Sequence, residues 1–239
     1  MEKITIDIAG VIICIGINFK ENVCRFREFL SDGIPVDVVS ISETRVAQEY
    51  LYLKKSYPHR SFNLIDSEFN ALFRELSSIL YNYGVIIFHG VLISKDNNGY
   101  VFTGPSGIGK STHANNWVRI FGDDVTIVSG DKIALVKSPL GLYGYGTPWK
   151  GKERLGNNGN VKIKAICYIK RGIQNYISPI QSEHFIDWFV AQVILPHKSH
   201  HILRLVNQYN NIKSGVNFYE LTCNQNPSSA VTAYLGINT

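Results

Sequence analysis

Gly104-Pro105-Ser106-Gly107-Ile108-Gly109-Lys110-Ser111 stands between an aromatic and β-branched run, Tyr100 to Thr103, and a stretch with helical spacing, Lys110 to Phe121. The octapeptide fits G-x-x-x-x-G-K-[ST] in the strand, loop and helix setting that a phosphate cradle requires. Glycines let backbone N–H groups converge on an anion, and a helix N-terminus adds positive partial charge there. The pattern assigns triphosphate binding to Gly104, Pro105, Ser106, Gly107, Ile108, Gly109, Lys110, Ser111 and Thr112. Lys110 is expected at the β- and γ-phosphates, the Ser111 hydroxyl on Mg²⁺, and Thr112 at the α-phosphate. No N-K-x-D base signal occurs in the chain, so ATP is the expected nucleotide.

A hard cation bound with a triphosphate also needs a carboxylate. Asp131, in Val128-Ser129-Gly130-Asp131-Lys132 between two strand-like runs, stands where an acidic residue of a second strand would. The metal set read from the sequence is therefore Ser111 and Asp131.

Outward from this centre, strands are expected at Val85 to Phe88, Val91 to Ser94, Val125 to Val128, Lys132 to Val136 and Val161 to Lys170. Lys95 to Gly99 reads as a hairpin loop, and helical patterns lie at Glu183 to Leu195, about His200 to Asn211, and Ser228 to Leu235. In the N-terminal third, Lys3 to Ala9 and Val11 to Asn18 read as strands around Gly10, with a third at Val36 to Ile41. Phe69, Leu72, Phe73, Leu76, Ile79 and Leu80 recur at helical intervals between Asp66 and Tyr83, with Asp66 or Ser67 as cap. The expectation is α/β: a mixed sheet flanked by helices over 84–239, preceded by an α+β subdomain over 1–83.

Hydrophobic residues make up 45% and charged residues 18% of the 239, which suits a chain with a real core and argues against extensive disorder. The formal charge of +5 is scattered with no long basic run, so no nucleic-acid partner is expected. Residues 8–17 are apolar but too few to span a bilayer, and Glu2 and Asp7 oppose a signal peptide, so no membrane partner is expected either. Cys14, Cys24, Cys167 and Cys223 form no CxxC pair, and a cytoplasmic location is the default reading. Self-association into a homo-oligomer stays open.

Phe88-His89-Gly90-Val91-Leu92, about a dozen residues before Gly104 to Ser111, resembles the catalytic domain of HPr kinase/phosphorylase, where a His-Gly strand runs just ahead of the P-loop. ATP-dependent phosphoenolpyruvate carboxykinase, a structural cousin of that family, is similar in its P-loop core. The resemblance covers about residues 84–170. It implies a mixed P-loop sheet of the HPr kinase/phosphoenolpyruvate carboxykinase type with an N-terminal β-rich extension. It also implies an ATP- and Mg²⁺-dependent kinase whose acceptor is a hydroxyl on a protein, a peptide or a small molecule.

In the resembling enzymes two adjacent aspartates follow the P-loop helix, the first taking the acceptor's proton and the second holding the metal. The corresponding positions here are Gly130 and Asp131, so the metal role passes to Asp131 while glycine has nothing to accept a proton with. His89, expected at the end of the strand preceding the P-loop strand, is the substitute base. Glu153, in the basic glycine-rich stretch Gly146-Thr147-Pro148-Trp149-Lys150-Gly151-Lys152-Glu153-Arg154, is its competitor. Arg171 could add positive charge to the phosphates, and His113 reads as a packing residue of the P-loop helix. His197, His200 and His201 lack a cysteine or carboxylate to complete a metal set. Two other readings follow from the same residues: a nucleotide-binding regulatory protein without turnover, and a carboxykinase-like lyase.

Overall fold

The structure, a computed structural model, describes residues 1–194 and 201–239. They form two compact units, Met1–Tyr83 and Gly84–Thr239.

In the first unit β1 (Glu2–Ile8) and β2 (Val11–Ile17) form an antiparallel hairpin, and β3 (Asp37–Ser40) adds parallel to β2. Ala9 and Gly10 turn the hairpin at φ 55° and 83°, the paired left-handed conformation of a two-residue loop. A short helix, α1 (Val23–Phe26), follows β2. Two longer helices complete the unit: α2 (Glu43–Ser56), capped by the Ser42 hydroxyl, and α3 (Leu64–Asn82), capped by the Asn63 side chain rather than by Asp66 or Ser67. Glu68 of α3 is fully buried, where it accepts the Asn18 N–H at 2.7 Å and the Asn22 amide at 2.8 Å. Buried carboxylates persist where such bonds replace water.

The second unit is a mixed eight-stranded sheet with helices. Its elements are β4 (Ile86–Lys95), β5 (Asn98–Thr103), α4 (Lys110–Phe121), β6 (Val125–Ser129), β7 (Lys132–Ser138), β8 (Gly141–Tyr145), β9 (Asn160–Arg171), β10 (Tyr176–Pro179), α5 (Ser182–Val190), α6 (His201–Lys213), β11 (Asn217–Cys223) and α7 (Ser228–Asn238). The strand order is β10-β11-β9-β5-β4-β7-β8, with β6 on β4, and β8 also pairs with the start of the long β9. The mixed sheet with flanking helices is the expected class.

Strand directions position everything that follows. β5, β9 and β11 are mutually parallel, so the segments after Thr103, Arg171 and Cys223 emerge at one edge of the sheet. β4 runs antiparallel to β5 as one continuous strand, where two separate strands were expected. His89 is thus mid-strand and not at a strand end. It comes level with the end of β5 because Gly90 pairs with Thr103.

The core beneath this edge is aromatic. Trp117 of α4 is fully buried, with ring centroids 5.0 Å from Tyr100 and 5.5 Å from Phe102. This seats the helix firmly on β5, so the loop between them is held at both ends.

Candidate functional site

The loop Gly104–Gly109 joins β5 to α4. Its glycines occupy left-handed backbone, Gly104 at φ 139°, Gly107 at 79° and Gly109 at 119°, which other residues rarely adopt. A Cβ on Gly104 would also crowd the Ile169 carbonyl at 3.3 Å, whereas nothing lies within 4 Å of such an atom on Gly107 or Gly109. The loop therefore packs close on β9 at its base and is open at its tip.

Lys110 is 93% removed from solvent and folds back onto its own loop, donating to the carbonyls of Gly104 at 2.9 Å and Pro105 at 3.1 Å. Burial pushes its ammonium down to about 8, against the opposing pull of Asp131. An anion seated in the loop would restore the full charge. Ser111 is partly buried, and Thr112, Pro105 and Ser106 are exposed. Arg171, at the end of β9, donates to the Gly107 carbonyl and lies 3.5 Å from that of Ile108, so it braces the loop from outside.

Asp131 stands between β6 and β7, and its main-chain carbonyl accepts the Gly90 N–H at 3.0 Å. The carboxylate meets His89 Nε2 at 3.2 Å through Oδ1 and Lys132 Nζ at 2.8 Å through Oδ2. Burial pushes this carboxyl up, but the His89 bond and the Lys132 charge outweigh it and hold the group at about 2. Asp131 is ionised at any physiological pH.

His89 is held on every side. Its N–H donates to the Gln192 carbonyl at 2.8 Å, its own carbonyl accepts the Thr103 hydroxyl at 2.8 Å, and Nδ1 lies 3.0 Å from Gln192 Oε1. Nε2 faces the Asp131 carboxylate and Nδ1 faces Gln192, so both ring nitrogens have partners within the protein. The structure sets His89, the expected base, directly against Asp131, with Gln192 on its other ring nitrogen. Gln192, expected inside a helix over Glu183 to Leu195, lies in the turn after α5, which ends at Val190, and nothing in its spacing pointed to His89.

Gly130 does not mark an empty place in the site. A Cβ there would lie 2.8 Å from Leu155 Cβ and 2.9 Å from the Leu155 carbonyl, which itself accepts the Gly130 N–H at 3.1 Å. A side chain at 130 would run into the 146–156 segment, away from Asp131. That segment is pinned along Val128 to Lys132 by Thr147 Oγ1 to the Lys132 carbonyl at 2.7 Å and by the Ser129–Gly156 bridge. Gly151, at φ 71°, passes so close to Asp131 that a Cβ would stand 2.8 Å from the aspartate's own. Trp149 is buried, and Glu153 is exposed in the turn 151–154.

His113 is fully buried in α4, accepting the Trp117 indole N–H at 3.0 Å, and burial pushes its pKa down to about 3. It is a neutral structural group. His197 and His200 lie outside the described residues, as does the side chain of His201. Among the described residues no three His, Cys, Asp or Glu side chains gather as a metal set. No described helix is long and apolar enough to cross a membrane.

No protein-family model matches the chain, and neither does any curated protein. Among solved structures, the HPr(Ser) kinase/phosphatase from Coxiella burnetii is similar at 13% identity, covering 51% of this chain and 86% of that one, with a TM-score of 0.29.

Proposed function

We propose that the unit Gly84–Thr239 transfers the γ-phosphoryl group of ATP, with Mg²⁺, to a hydroxyl of a protein, peptide or small-molecule acceptor. The observation that carries this reading is the pairing of two parts at one sheet edge. One is a left-handed glycine loop whose buried lysine neutralises only its own carbonyls. The other is an ionised carboxylate electrostatically coupled to that lysine. Phosphoryl transfer needs positioning and charge stabilisation more than covalent help, and these two parts supply both.

The side chains present suit Mg²⁺ as it is usually bound with nucleotides. Such a cation commonly takes one or two protein ligands beside water and phosphate oxygens, and here Ser111 and Asp131 would hold it. When bound, it would supply neutralisation of charge on the triphosphate. Lys110 would leave the Gly104 and Pro105 carbonyls for phosphate oxygens, and Lys132 would add a second positive charge next to the transferred group. Asp131 orients the acceptor hydroxyl and takes its proton late, as a strong-acid carboxylate can when the transition state is loose. His89 is a positioning residue: locked by Gln192 and Thr103, it fixes the Asp131 carboxylate.

Calorimetric titration of ATP with Mg²⁺ into the wild-type chain and Lys110→Ala tests the reading. Binding in the wild type and its loss by at least tenfold in a variant with an unchanged melt is expected. Equal binding by both proteins would refute the phosphate loop.

A further inference from the structure

The sheet order β5-β4-β7-β8 lays the parts of the site out in a row. The glycine loop leaves β5, His89 lies on β4, Asp131 precedes β7, and the segment after β8 comes last. His89 pairs with Lys132 and Tyr145 with Ala134, and Thr147 Oγ1 reaches the Lys132 carbonyl, so the end of β8 is level with Asp131. The 146–156 segment therefore stands on the side of Asp131 away from the loop.

In-line transfer makes this the acceptor's side. The attacking and leaving oxygens lie roughly opposite each other at the transferred phosphorus. With the β-phosphate seated in the loop, the acceptor oxygen would bond to the γ-phosphorus from beyond Asp131 as the bond to ADP breaks, and its proton would pass to the Asp131 carboxylate. An acceptor so placed lies against the turn 151–154, because a Cβ on Gly151 would stand only 3.4 Å from Asp131 Oδ2. All four residues of that turn are exposed, which suits a chain lying across it more than a small molecule enclosed by it.

The cations elsewhere along the row are engaged. Lys110 donates to carbonyls of its own loop, Arg171 to that of Gly107, and Lys132 to Asp131. Lys152 and Arg154 are different: among the described residues neither has a hydrogen-bond or ion-pair partner, not even Glu153 between them. Lys152 starts one Cα step, about 3.8 Å, from Gly151, which brings its ammonium within a side chain's length of the acceptor's place. Arg154 holds φ 52°, a left-handed conformation that glycine would take at less cost.

We infer that Lys152 and Arg154 select an acidic acceptor, a peptide segment in which carboxylates flank the hydroxyl that takes the phosphoryl group. The inference rests on the kinase reading above. Two unpaired cations at the entry attract an acidic flank and repel a basic one. Their fields are screened over about 8–10 Å, so they act on the residues adjoining the hydroxyl.

The test uses γ-labelled ATP, Mg²⁺ and three synthetic peptide pools, each centred on Ser, Thr or Tyr and differing only in flanks of Glu, Gln or Lys. The Glu-flanked pool should be labelled with a kcat/KM about tenfold above the Gln-flanked pool, with the Lys-flanked pool below both, as two exposed charges acting together allow. For the wild type, salt at about 0.5 M should bring that preference within about threefold. In Lys152→Glu/Arg154→Glu the preference for Glu over Gln should vanish through KM, with the melt and the calorimetric affinity for ATP unchanged. Equal or faster labelling of the Gln- or Lys-flanked pool, or a preference that survives charge reversal or high salt, would overturn the inference. Weakened ATP binding by the charge-reversed variant would overturn it too, by assigning the two cations to the nucleotide. If no pool is labelled the inference falls, and the kinase reading falls with it only if γ-label also passes to nothing in a cell lysate.

Discussion

Replacement of Asp131 by Asn should change stability in a way that depends on pH. The carboxyl is held at about 2, against an ordinary 3.8, by His89 and Lys132 acting against burial. Each tenfold change in proton affinity is about 1.4 kcal/mol, so ionised Asp131 favours the folded state by roughly 2.5 kcal/mol before screening. The side chain keeps 29% of its surface in solvent, which reduces the expectation to about 1–2 kcal/mol. Because the folded pKa lies below the unfolded one, this contribution is complete from about a pH unit above 3.8 and fades as pH falls through 3.8 toward 2. Urea unfolding of wild type and Asp131→Asn at pH 7, 5, 4 and 3 measures it. The difference between them should hold steady from pH 7 to 5 and narrow at pH 4 and 3. A difference that stays constant to pH 3, or is absent at pH 7, would refute the ion-paired carboxylate at the centre of the site.

Three further outcomes follow from the same geometry. Glu153→Gln should keep ATP turnover within about threefold of wild type under saturating ATP, since the proposed proton acceptor is Asp131 and Glu153 is exposed; a loss of 10² or more, within the usual span of general-base contributions, would make the loop glutamate the base. Gly130→Asp should lower the melting temperature without raising turnover, at a cost of about 1–3 kcal/mol for the forced contact with Leu155, and a gain in turnover would show that position 130 faces the site. His113 is neutral when folded but takes a proton near 6.5 when unfolded, so stability should fall by up to about 1.4 kcal/mol per pH unit from pH 6.5 to 4; His113→Gln should flatten that slope in urea midpoints.

Much of this was readable from residues with a local physical signature. The helix after the glycine loop runs over Lys110–Phe121, as its spacing indicates, and Asp96 and Asn97 turn the 95–98 hairpin at φ 51° and 58°. α2 escaped notice because only Val46, Glu49 and Leu53 face inward, and one of these is a charged residue made tolerable by Arg45 and Arg74. β8 is rich in Gly and Tyr, β10 has only four residues and β11 carries polar residues among its apolar ones, so pairing with strands far along the chain decides them.

The site divides in the same way. The cradle is written in eight consecutive residues, but the state of His89 depends on Gln192, 103 residues away. The direction of the missing side chain at Gly130 depends on Leu155. Neither could be deduced from spacing. Both bear on the proposed chemistry, in which Asp131 is the carboxylate of the site and His89 holds it.

In the proposed reaction the γ-phosphoryl group leaves ATP for an acceptor hydroxyl under the control of Lys110 and Asp131. Incubation with Mg²⁺ and ATP labelled at either the γ- or the α-phosphorus, together with lysate of the source cells, tests it most directly. Label should pass from γ-labelled ATP alone into an acid-stable phosphate ester, with wild type and not with Lys110→Ala or Asp131→Asn. Firm ATP binding by the wild type with no transfer of γ-label to any component would contradict the account and make the chain a nucleotide-binding module.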